Sequence, residues 1–555
     1  MYKYEYSKLK ELLLTQGGKD FYQKCLTCYN ENYQGKTNSE LTYYKYKEFY
    51  LNGNRTHHEA EAQNRRKRLM LLQVLALGDD KYLEDLEQVI FEICNQLTWV
   101  YPAHNLDRET LVYDCTVIDL AASETAFFLA ETAFVFKDKL CPDILNRIRL
   151  SIKTKIVDNF ESRTFFFDRS LSNWAAVCCC GVGLAYLYAF PERFESIKER
   201  IFTGFERYLS GIYDDGCCAE GYIYWIYGFG YFCTFFDVYT NLTGDYPQIL
   251  NSQKVRDILE YGMVAKLSNK RVLPFADGGR LSELEPDMSI CAIEQLFNVK
   301  INNTQDFTLP FARCVGFRAL YSCALPLNSD VKQTKYKYYD KTQVYVNKKK
   351  NYSFAVKGGH NAERHNHNDI GTFYIVKDEK IIIADLGAGE YIKAYFSGPS
   401  EDYEGKYGEK IFVLSSLSHS VPIVNGDTQK PGLEYHGEVL ESNEKEFSLD
   451  ISKAYKQEIE KLNVKYTCEE DFVKVSYDVK GVEKVTFRFV SVIEPKIVEG
   501  GVLLDEVKLL SKANKTPIVQ KKPFSAYGAV PECAYVIDFD FVGDSVNQEF
   551  IIDLK

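Results

Sequence analysis

The sequence predicts a multidomain α+β protein, with a double layer of helices in its N-terminal part and an antiparallel β-sandwich in its C-terminal part. Three observations support this prediction. The chain has 555 residues, which is too long for one ordinary hydrophobic core. The first 320 or so residues show helical periodicity, and the pattern changes to β-type alternation near residue 335. The predicted domains span residues 1–330 and 331–555.

The helical prediction rests on apolar residues that recur at three- and four-residue steps. Leu86, Val89, Ile90 and Ile93 show this spacing, with acidic residues between them. Some of the predicted helices are amphipathic and others are wholly apolar, as expected for inner helices covered by outer ones. Similar blocks, separated by Gly, Pro, Asn and Asp clusters, lie near residues 117–137, 143–158, 173–190, 193–210, 222–241 and 253–266.

The C-terminal part alternates apolar and polar residues between charged turns. "TFYIVKDEKIIIADLG" predicts a hairpin about "KDEK", and "FVKVSYDVKGVEKVTFRFVSV" predicts two further strands. "CAYVIDFDF" and "EFIIDLK" predict the last strands, which favours an antiparallel sandwich. No low-complexity linker separates the two parts, so we expect a large shared interface with a ligand-binding cleft.

Composition and charge exclude several classes of protein. The net charge of −11 and the pI near 5.5 argue against a nucleic-acid-binding protein. The uncharged stretch 174–190 is at the short limit for a membrane span, and a buried helix is the better interpretation. The N-terminus lacks the pattern of a signal peptide, and the 16 cysteines include adjacent ones that suit no disulfide framework. We therefore expect reduced thiols and a cytoplasmic address.

Three of the 8 histidines lie in the stretch "HNAERHNHND", between two predicted strands. In an extended chain His365 and His367 project to the same side, where they can meet a metal or a substrate. Asp385 and His419 also lie at strand ends, so His367, Asp385 and His419 form a candidate N/N/O ligand set for Zn²⁺ or Mn²⁺. The alternative is a pair of loop histidines in a polar network.

Two further segments with candidate site residues lie in the helical part. "SNW" opens the apolar helix, where Ser172 or Asn173 suits the N-cap. Tyr224, Tyr227 and Tyr231 are spaced to share one helical face, and core aromatics are the alternative. "WVYPAHN", which contains His104, predicts a polar loop.

Four motifs in order, "SNWAAV", "DDGCCAEGYIYWIYG", "HNHNDIGTFYI…IIIADLGAGEY" and "SHSVPIVNGDTQ", resemble the heparinase II/III superfamily of polysaccharide lyases. The resemblance extends over most of the chain. It implies an (α/α) toroid, an incomplete barrel, followed by a β-sandwich of heparinase II/III type. It also implies cleavage of uronic-acid polysaccharides by β-elimination, which leaves 4,5-unsaturated uronate ends.

The resemblance also implies roles for single residues. Asn173 matches the Asn that engages the uronate carboxylate, Tyr224 the acid and often base, and His365 the catalytic His. Tyr395 stands where some members carry an assisting Tyr. The metal ligands implied are His367, Asp385 and His419. Substrate contacts are predicted for His104, Trp174, Tyr222, Arg364 and Lys410. Lys410 stands where the family often has Arg, so anion recognition there differs from the family pattern.

The chemistry explains these residue types. Elimination removes the C5 proton of a uronate and expels the 4-O-linked sugar, so it needs a base, an acid and a group that neutralises the carboxylate. A tyrosine can act as both acid and base when the proton and the leaving group lie on one face, as in glucuronate. Iduronate has them on opposite faces, where His365 would be the base from across the cleft. We expect Tyr224 and His365, from different domains, to face each other across the cleft. The metal is expected to be structural, anchoring the His365 loop.

The expected substrate is an anionic uronic-acid glycan, such as hyaluronan, chondroitin, heparan sulfate or an alginate-type oligosaccharide. A homodimer is possible, and neither a nucleic acid nor a membrane is an expected partner. A metal-dependent glycan hydrolase that uses metal-bound water is one alternative. A non-catalytic glycan-binding protein is another. A nuclease suggested by the letters "HNH" is disfavoured by the net charge.

Overall fold

The computed structural model describes residues 5–36, 38–105, 116–281, 283, 289–301, 309, 316–325, 334–392, 395 and 411–555. These residues form two compact units that are not contiguous in the sequence. The helical unit comprises Met1–Ile212, Ile226–Val255 and Pro286–Val331. The β unit comprises Tyr213–Trp225, Arg256–Glu285 and Lys332–Lys555.

The helices agree with the periodicity of the sequence, since each predicted block contains a helix. Helices α6 and α9 are buried on almost all sides, whereas α5, α7 and α10 each bury one face. The described helices are α1 Tyr6–Leu12, α2 Gln16–Asn32, α3 Tyr43–Asn52, α4 Thr56–Gly78, α5 Leu83–Cys94, α6 Leu120–Val135, α7 Pro142–Ile152, α8 Asp158–Ser162, α9 Asn173–Ala189, α10 Phe194–Ser210, α11 Tyr222–Thr243, α12 Gln253–Ala265, α13 Ser289–Phe297 and α14 Gly316–Ala324.

Helix α9 is an inner helix of the helical unit. It packs against both α6 and α10. A Cβ on Gly181 would lie 2.5 Å from the backbone of Ser123, so only glycine allows α6 and α9 to approach this closely. Among the described helices, none alone has the length and apolarity to cross a membrane. Asn173–Ala189 and Pro191–Ser210 meet that length and composition test only as a pair, with a bend of 118° between them.

The β unit contains sheets of five, eight, four and two strands, and all pairings between named strands are antiparallel. Their orders are β1-β2-β3-β5-β6, β14-β15-β16-β19-β12-β11-β10-β9, β17-β18-β13-β7 and β4-β8. The strands are β1 Tyr336–Tyr339, β2 Val344–Lys348, β3 Tyr352–Lys357, β4 His360–Asn361, β5 Phe373–Lys377, β6 Lys380–Ile383, β7 Ile423–Val424, β8 Gly432–His436, β9 Glu438–Ser442, β10 Glu446–Asp450, β11 Lys461–Cys468, β12 Phe472–Lys480, β13 Lys484–Ser491, β14 Lys496–Val498, β15 Gly501–Leu504, β16 Val507–Ser511, β17 Ile518–Ala526, β18 Val530–Val542 and β19 Ser545–Asp553.

Consecutive strands often belong to different sheets. Strand β12 lies in the eight-stranded sheet, and β13, which follows after a short turn, lies in the four-stranded one. The same change occurs between β18 and β19. Residues of both sheets share one buried core that includes Val475, Phe487, Phe489, Phe539 and Phe550. This core is the one expected between the layers of a sandwich.

Two local features bring the segment 266–281 to the sheet that carries the histidine motif. The β5–β6 hairpin turns at Asp378 and Glu379, both with positive φ, and the Glu379 carboxylate accepts the backbone N–H of Lys270 at 3.0 Å. Farther along, Arg280 forms a β-bridge with Gly387. A Cβ on Gly387 would overlap the carbonyl oxygen of Gly279, so the close approach requires glycine.

Candidate active site and metal-binding triad

The candidate catalytic side chains of the β unit meet around the rings of Tyr224 and His365. The two rings stack with their centroids 4.1 Å apart and an angle of 26° between their planes. The hydroxyl of Tyr224 lies 2.8 Å from the hydroxyl of Tyr391. Tyr391 in turn donates to the carboxylate of Asp277 at 2.6 Å. An aromatic group, an imidazole and a buried carboxylate are therefore joined in one hydrogen-bonded cluster.

Asp277 lies at the centre of this cluster. Its side chain is fully buried and accepts from His365 Nδ1 at 2.7 Å and from His367 Nε2 at 3.1 Å. Tyr395 donates its hydroxyl to the same carboxylate. Burial by itself raises the pKa of Asp277, but the hydrogen bonds from His365 and His367 outweigh it and hold this pKa below its ordinary range.

His365 sits in a turn and not in extended chain, with φ of +57°. This conformation is sparsely populated by residues other than glycine, and such strain is common at functional sites. The expectation of an extended His-x-His pair was therefore wrong, although both imidazoles still reach one carboxylate. Burial lowers the pKa of His365, and the hydrogen bond and charge of Asp277 reverse that effect, so the pKa is raised overall.

Tyr224 belongs to the same compact unit as His365. It lies in the first turn of helix α11, whose residues Tyr222–Trp225 are part of the β unit. The expectation that Tyr224 and His365 come from different domains and face each other across a cleft was therefore wrong. Burial first, and then the Asp277 charge, raise the pKa of the Tyr224 phenol well above its ordinary value.

A second pair of tyrosines borders the cluster. The rings of Tyr391 and Tyr395 lie 5.0 Å apart, and Tyr527 packs edge-on against Tyr391 at 5.1 Å. Tyr527 lies at the tip of the β17–β18 hairpin, where its N–H donates to Ala388 at 3.0 Å. The structure thus places the predicted Tyr395 near Tyr224, but Tyr391 makes the direct hydrogen bond to it.

His367, Asp385 and His419 form the second cluster of the β unit. Their candidate ligand atoms lie within 4.8 Å of one another, and all three side chains are fully buried. Each side chain is held by one atom: His367 Nε2 bonds Asp277, Asp385 Oδ1 accepts from Gly387, and His419 Nε2 donates to Val413. The structure therefore brings together the triad that the sequence proposed from three separate segments.

The remaining atoms of the triad fit a metal ion. Within the described part of the chain, His367 Nδ1, Asp385 Oδ2 and His419 Nδ1 are buried and have no hydrogen-bond partner of good geometry, and His419 Nδ1 lies 3.3 Å from Asp385 Oδ2. Buried polar atoms almost always have such a partner, so three such atoms close to one another fit a bound metal ion. The buried Asp369 Oδ2, 3.9 Å from His419 Nδ1, lacks a hydrogen-bond partner as well. Two imidazoles and a carboxylate suit Zn²⁺.

The other predicted substrate contacts of the β unit differ in their exposure. The guanidinium of Arg364 is half-exposed and lies 3.9 Å from Glu220. Tyr222 is buried and stacks on Trp225 at 5.2 Å, so its ring offers no surface to a sugar in this structure. Lys410 lies outside the described residues.

The helical unit carries the remaining predicted residues. Ser172 is the N-cap of α9, and its hydroxyl accepts from Trp174 N–H at 3.4 Å, which places Asn173 in the first turn. The Trp174 ring packs edge-on against His104 at 5.0 Å. Both ring nitrogens of His104 are engaged, with Asp119 at 2.8 Å and with Arg55 at 3.2 Å. The roles proposed for Asn173, Trp174 and His104 stay predictions.

Tyr227 and Tyr231 make contacts that differ from those of Tyr224. Both donate to Glu124 Oε1, at 3.0 and 2.8 Å, and Arg66 donates to the other oxygen of that carboxylate at 2.7 Å. The shared face predicted for the three tyrosines therefore holds for Tyr227 and Tyr231 as a buried polar network. Tyr224, one turn earlier on the helix, bonds Tyr391 instead.

Sequence reasoning missed Asp277, although it accepts more hydrogen bonds from the cluster than any other described residue. The available signal was its setting in "PFADGGR", a carboxylate in a Pro- and Gly-rich loop between strand-like bridges. Tyr391 and Tyr527 were also missed. Tyr391 ends the motif "IIIADLGAGEY" but was given no role, and the segment of Tyr527 carries no motif. Only the close approach of separate segments brings these two residues to the cluster around Tyr224.

Comparison with solved structures shows polysaccharide lyases of the same fold. The superposition on heparinase III covers 97% of this chain and 92% of the heparinase III chain, with 14% sequence identity and a TM-score of 0.61. The superposition on heparan sulfate lyase HepC from Pedobacter heparinus covers 89% of this chain and 76% of the HepC chain, with 15% sequence identity and a TM-score of 0.57. The superposition on chondroitin AC lyase from Streptomyces coelicolor A3 covers 97% of this chain and 82% of the chondroitin lyase chain, with 10% sequence identity and a TM-score of 0.52. No protein-family model and no curated protein sequence matches the chain.

These comparisons confirm the predicted architecture of an (α/α) toroid followed by an antiparallel β-sandwich. They also confirm the resemblance to heparinase-type lyases at the level of fold. A shared fold at this identity does not transfer an activity, because one fold hosts many functions. The function has to be argued from the site.

Proposed function

We propose that this protein is a polysaccharide lyase that cleaves uronic-acid glycans by β-elimination. The observation that carries the proposal is the Tyr224–His365 stack, bonded through Tyr391 to the buried carboxylate of Asp277. It joins a phenol and an imidazole, the two kinds of proton-transfer group that elimination needs, in one cluster. The fold shared with heparinase III and chondroitin AC lyase supports the same reaction class.

Tyr224 is proposed as the acid that protonates O4 of the departing sugar. Burial and the Asp277 charge raise the pKa of its phenol, so the hydroxyl keeps its proton at neutral pH and can donate it. His365 lies in ring contact with Tyr224 and is proposed as the base or as a group that neutralises the carboxylate. An enolate-like state at C5 needs such neutralisation.

The stacked arrangement favours uronates whose C5 proton and O4 lie on one face. Because the two rings are stacked in contact, we expect both groups to reach a sugar from one side, so that proton removal and proton donation fall on that side. Glucuronate meets this condition and iduronate does not. We therefore propose glucuronate-type linkages, as in hyaluronan, chondroitin or heparan sulfate, as the preferred substrates.

Zn²⁺ is the proposed occupant of the triad His367, Asp385 and His419, with Mn²⁺ as the alternative. When bound, the ion supplies a fixed positive anchor and no redox chemistry. His367 then ties the ion to Asp277, which also holds His365. The role of these residues is to keep the His365 loop in place.

Burial of the triad speaks against the hydrolase alternative. A hydrolytic metal needs an open coordination position for water and substrate. Here the three side chains have no exposed surface, and the carboxylate of Asp369, also fully buried, lies 3.9 Å from His419 Nδ1. A non-catalytic glycan-binding protein would not need a hydrogen-bonded Tyr–Tyr–Asp–His cluster at its centre.

The test is a panel of uronic-acid polymers and their oligosaccharides, followed by the ultraviolet absorbance of the unsaturated uronate. Lyase activity gives one new absorbing end for each bond cleaved. New reducing ends without absorbance would identify a hydrolase. Binding of an oligosaccharide without either product would identify a glycan-binding protein.

A further inference from the structure

Four donors converge on the carboxylate of Asp277. His365 Nδ1 and the Tyr391 hydroxyl bond Oδ2, at 2.7 and 2.6 Å. His367 Nε2 at 3.1 Å and the Tyr395 hydroxyl bond Oδ1. A carboxylate has about four acceptor sites, so these donors fill them. Asp277 is fully buried, and thus any effect on a substrate must pass through its partners.

We propose that Asp277 is the positioning residue of the cluster, setting both the ring of His365 and the hydroxyl hydrogen of Tyr224. The inference rests on the proposed function, because it assigns how the two proton-transfer groups are aligned. It adds a residue that neither reacts with the glycan nor binds the metal.

The direction of the Tyr224 hydroxyl follows from counting hydrogens. Tyr391 has one hydroxyl hydrogen, and it is committed to Asp277, which can only accept. In the 2.8 Å hydrogen bond between the hydroxyls of Tyr391 and Tyr224, the donor must then be Tyr224. Asp277 therefore sets the resting position of the Tyr224 hydrogen through one intervening residue, and protonation of O4 requires this hydrogen to turn from Tyr391 to the leaving oxygen.

The orientation of His365 follows from the same carboxylate. Its Nδ1–H donates to Asp277, and its ring is stacked on Tyr224. The other ring nitrogen of His365, Nε2, is then the atom that exchanges a proton with a substrate. A buried aspartate that holds one nitrogen of a histidine in this way selects the tautomer and the ring angle of the other nitrogen.

The first experiment compares Asp277→Asn with Asp538→Asn. Asp538 is also a buried aspartate of the β unit, and it accepts two bonds from Arg488, both at 2.8 Å. We expect Asp277→Asn to lower kcat by at least about 10²-fold while KM stays within about threefold, since an amide cannot accept from four donors. Asp538→Asn should lower thermal stability and leave kcat near normal. Equal kcat losses in the two variants would overturn the proposal.

The double variant Tyr224→Phe/Asp277→Asn separates positioning from general destabilisation. If Asp277 acts through Tyr224 and His365, the double variant should lose little more than the worse single variant, within about threefold. Independent structural damage would instead multiply the two losses. A multiplicative result would overturn the positioning role even if each single variant were slow.

A readout without turnover distinguishes this proposal from the proposed function. The 8 histidines permit assignment of the His365 imidazole signals by comparison with His365→Gln. These signals should shift in Asp277→Asn and stay unchanged in Asp538→Asn. A wild-type protein that forms no unsaturated uronate would refute the lyase proposal alone, whereas unchanged His365 signals in Asp277→Asn would refute the positioning role alone.

Discussion

Two histidine–aspartate clusters in the β unit start from the same motif and differ in how their atoms are satisfied. Around Asp277, the polar atoms of His365, Tyr391 and Tyr224 are linked by hydrogen bonds. In the triad, each side chain is held by one atom and presents another that is buried without a hydrogen-bond partner among the described residues. Protein atoms alone satisfy the hydrogen bonding of the first cluster, whereas the second cluster keeps buried polar atoms without a hydrogen-bond partner among the described residues.

This difference separates proton chemistry from metal binding where residue types cannot. His365 and His367 are two residues apart, and both bond the same carboxylate. His365 keeps about a fifth of its side chain exposed, whereas His367 has none exposed. An imidazole that retains access suits a substrate, and one with a buried orphaned nitrogen suits an ion.

Loss of the Tyr224 hydroxyl is the largest effect we expect, because it removes the proposed acid. Tyr224→Phe should lower turnover by about 10²-fold or more, with the fold and glycan binding retained. Steady-state kinetics on the best substrate of the panel provides the measurement.

The matched control is Tyr239→Phe on the same helix. The Tyr239 hydroxyl donates an equivalent hydrogen bond to Asp245 at 2.8 Å, which the variant loses. Tyr239 lies about 22 Å farther along α11 than Tyr224. It should keep near-normal turnover. If Tyr224→Phe also does, the acid is another residue, and the Tyr224–His365 stack is not the reactive cluster.

Loss of a triad ligand should act on stability. We expect about one divalent ion per chain in the wild type by elemental analysis and none in His367→Ala. The variant should lose about 2 kcal/mol of unfolding free energy, since it leaves buried polar atoms without partners. A chelator should destabilise the wild type and leave the variant unaffected.

His360→Ala is the control for the triad. His360 lies in the same segment and contacts Glu363 at 3.2 Å, outside the triad. It should retain the ion. A wild-type protein purified without metal, and not stabilised by added Zn²⁺, would contradict the contrast drawn between the two clusters.

The stacking of Tyr224 and His365 predicts a preference between uronate epimers. On matched oligosaccharides, kcat/KM for glucuronate should exceed that for iduronate by about tenfold or more, a difference of about 1.4 kcal/mol in barrier. Each substrate is assayed separately by product absorbance. Equal values would show that the two groups reach opposite faces of the sugar despite their contact.

Arg364 should have the smallest effect, because its guanidinium is half-exposed and 3.9 Å from Glu220. Arg364→Ala should raise KM about threefold with kcat unchanged, as expected for a screened surface charge. The difference should shrink as salt is raised. Arg149→Ala, a comparably exposed arginine of the helical unit, should change neither constant. A fall in kcat for Arg364→Ala would place this residue within the catalytic cluster.

The sequence by itself determined the elements of this protein. Apolar spacing located the amphipathic helices, as in α5 and α10, because side chains three or four residues apart share a face through local geometry alone. Alternation located β12, β13, β18 and β19 in the same way. The metal triad could also be proposed, since His, Asp and His at strand ends are recognisable ligand types.

Only the tertiary structure decided which of these elements meet. Strands β12 and β13 are adjacent in the chain yet pair in different sheets. Asp277 lies 88 residues before His365, and it reaches His365 because Gly387 allows the backbone of Gly279 to approach. Tyr224 was assigned to the helical part by its helix, but its ring packs on His365 in the β unit. Periodicity is a property of neighbouring residues, whereas the partner of a buried polar group depends on packing between segments distant in the chain.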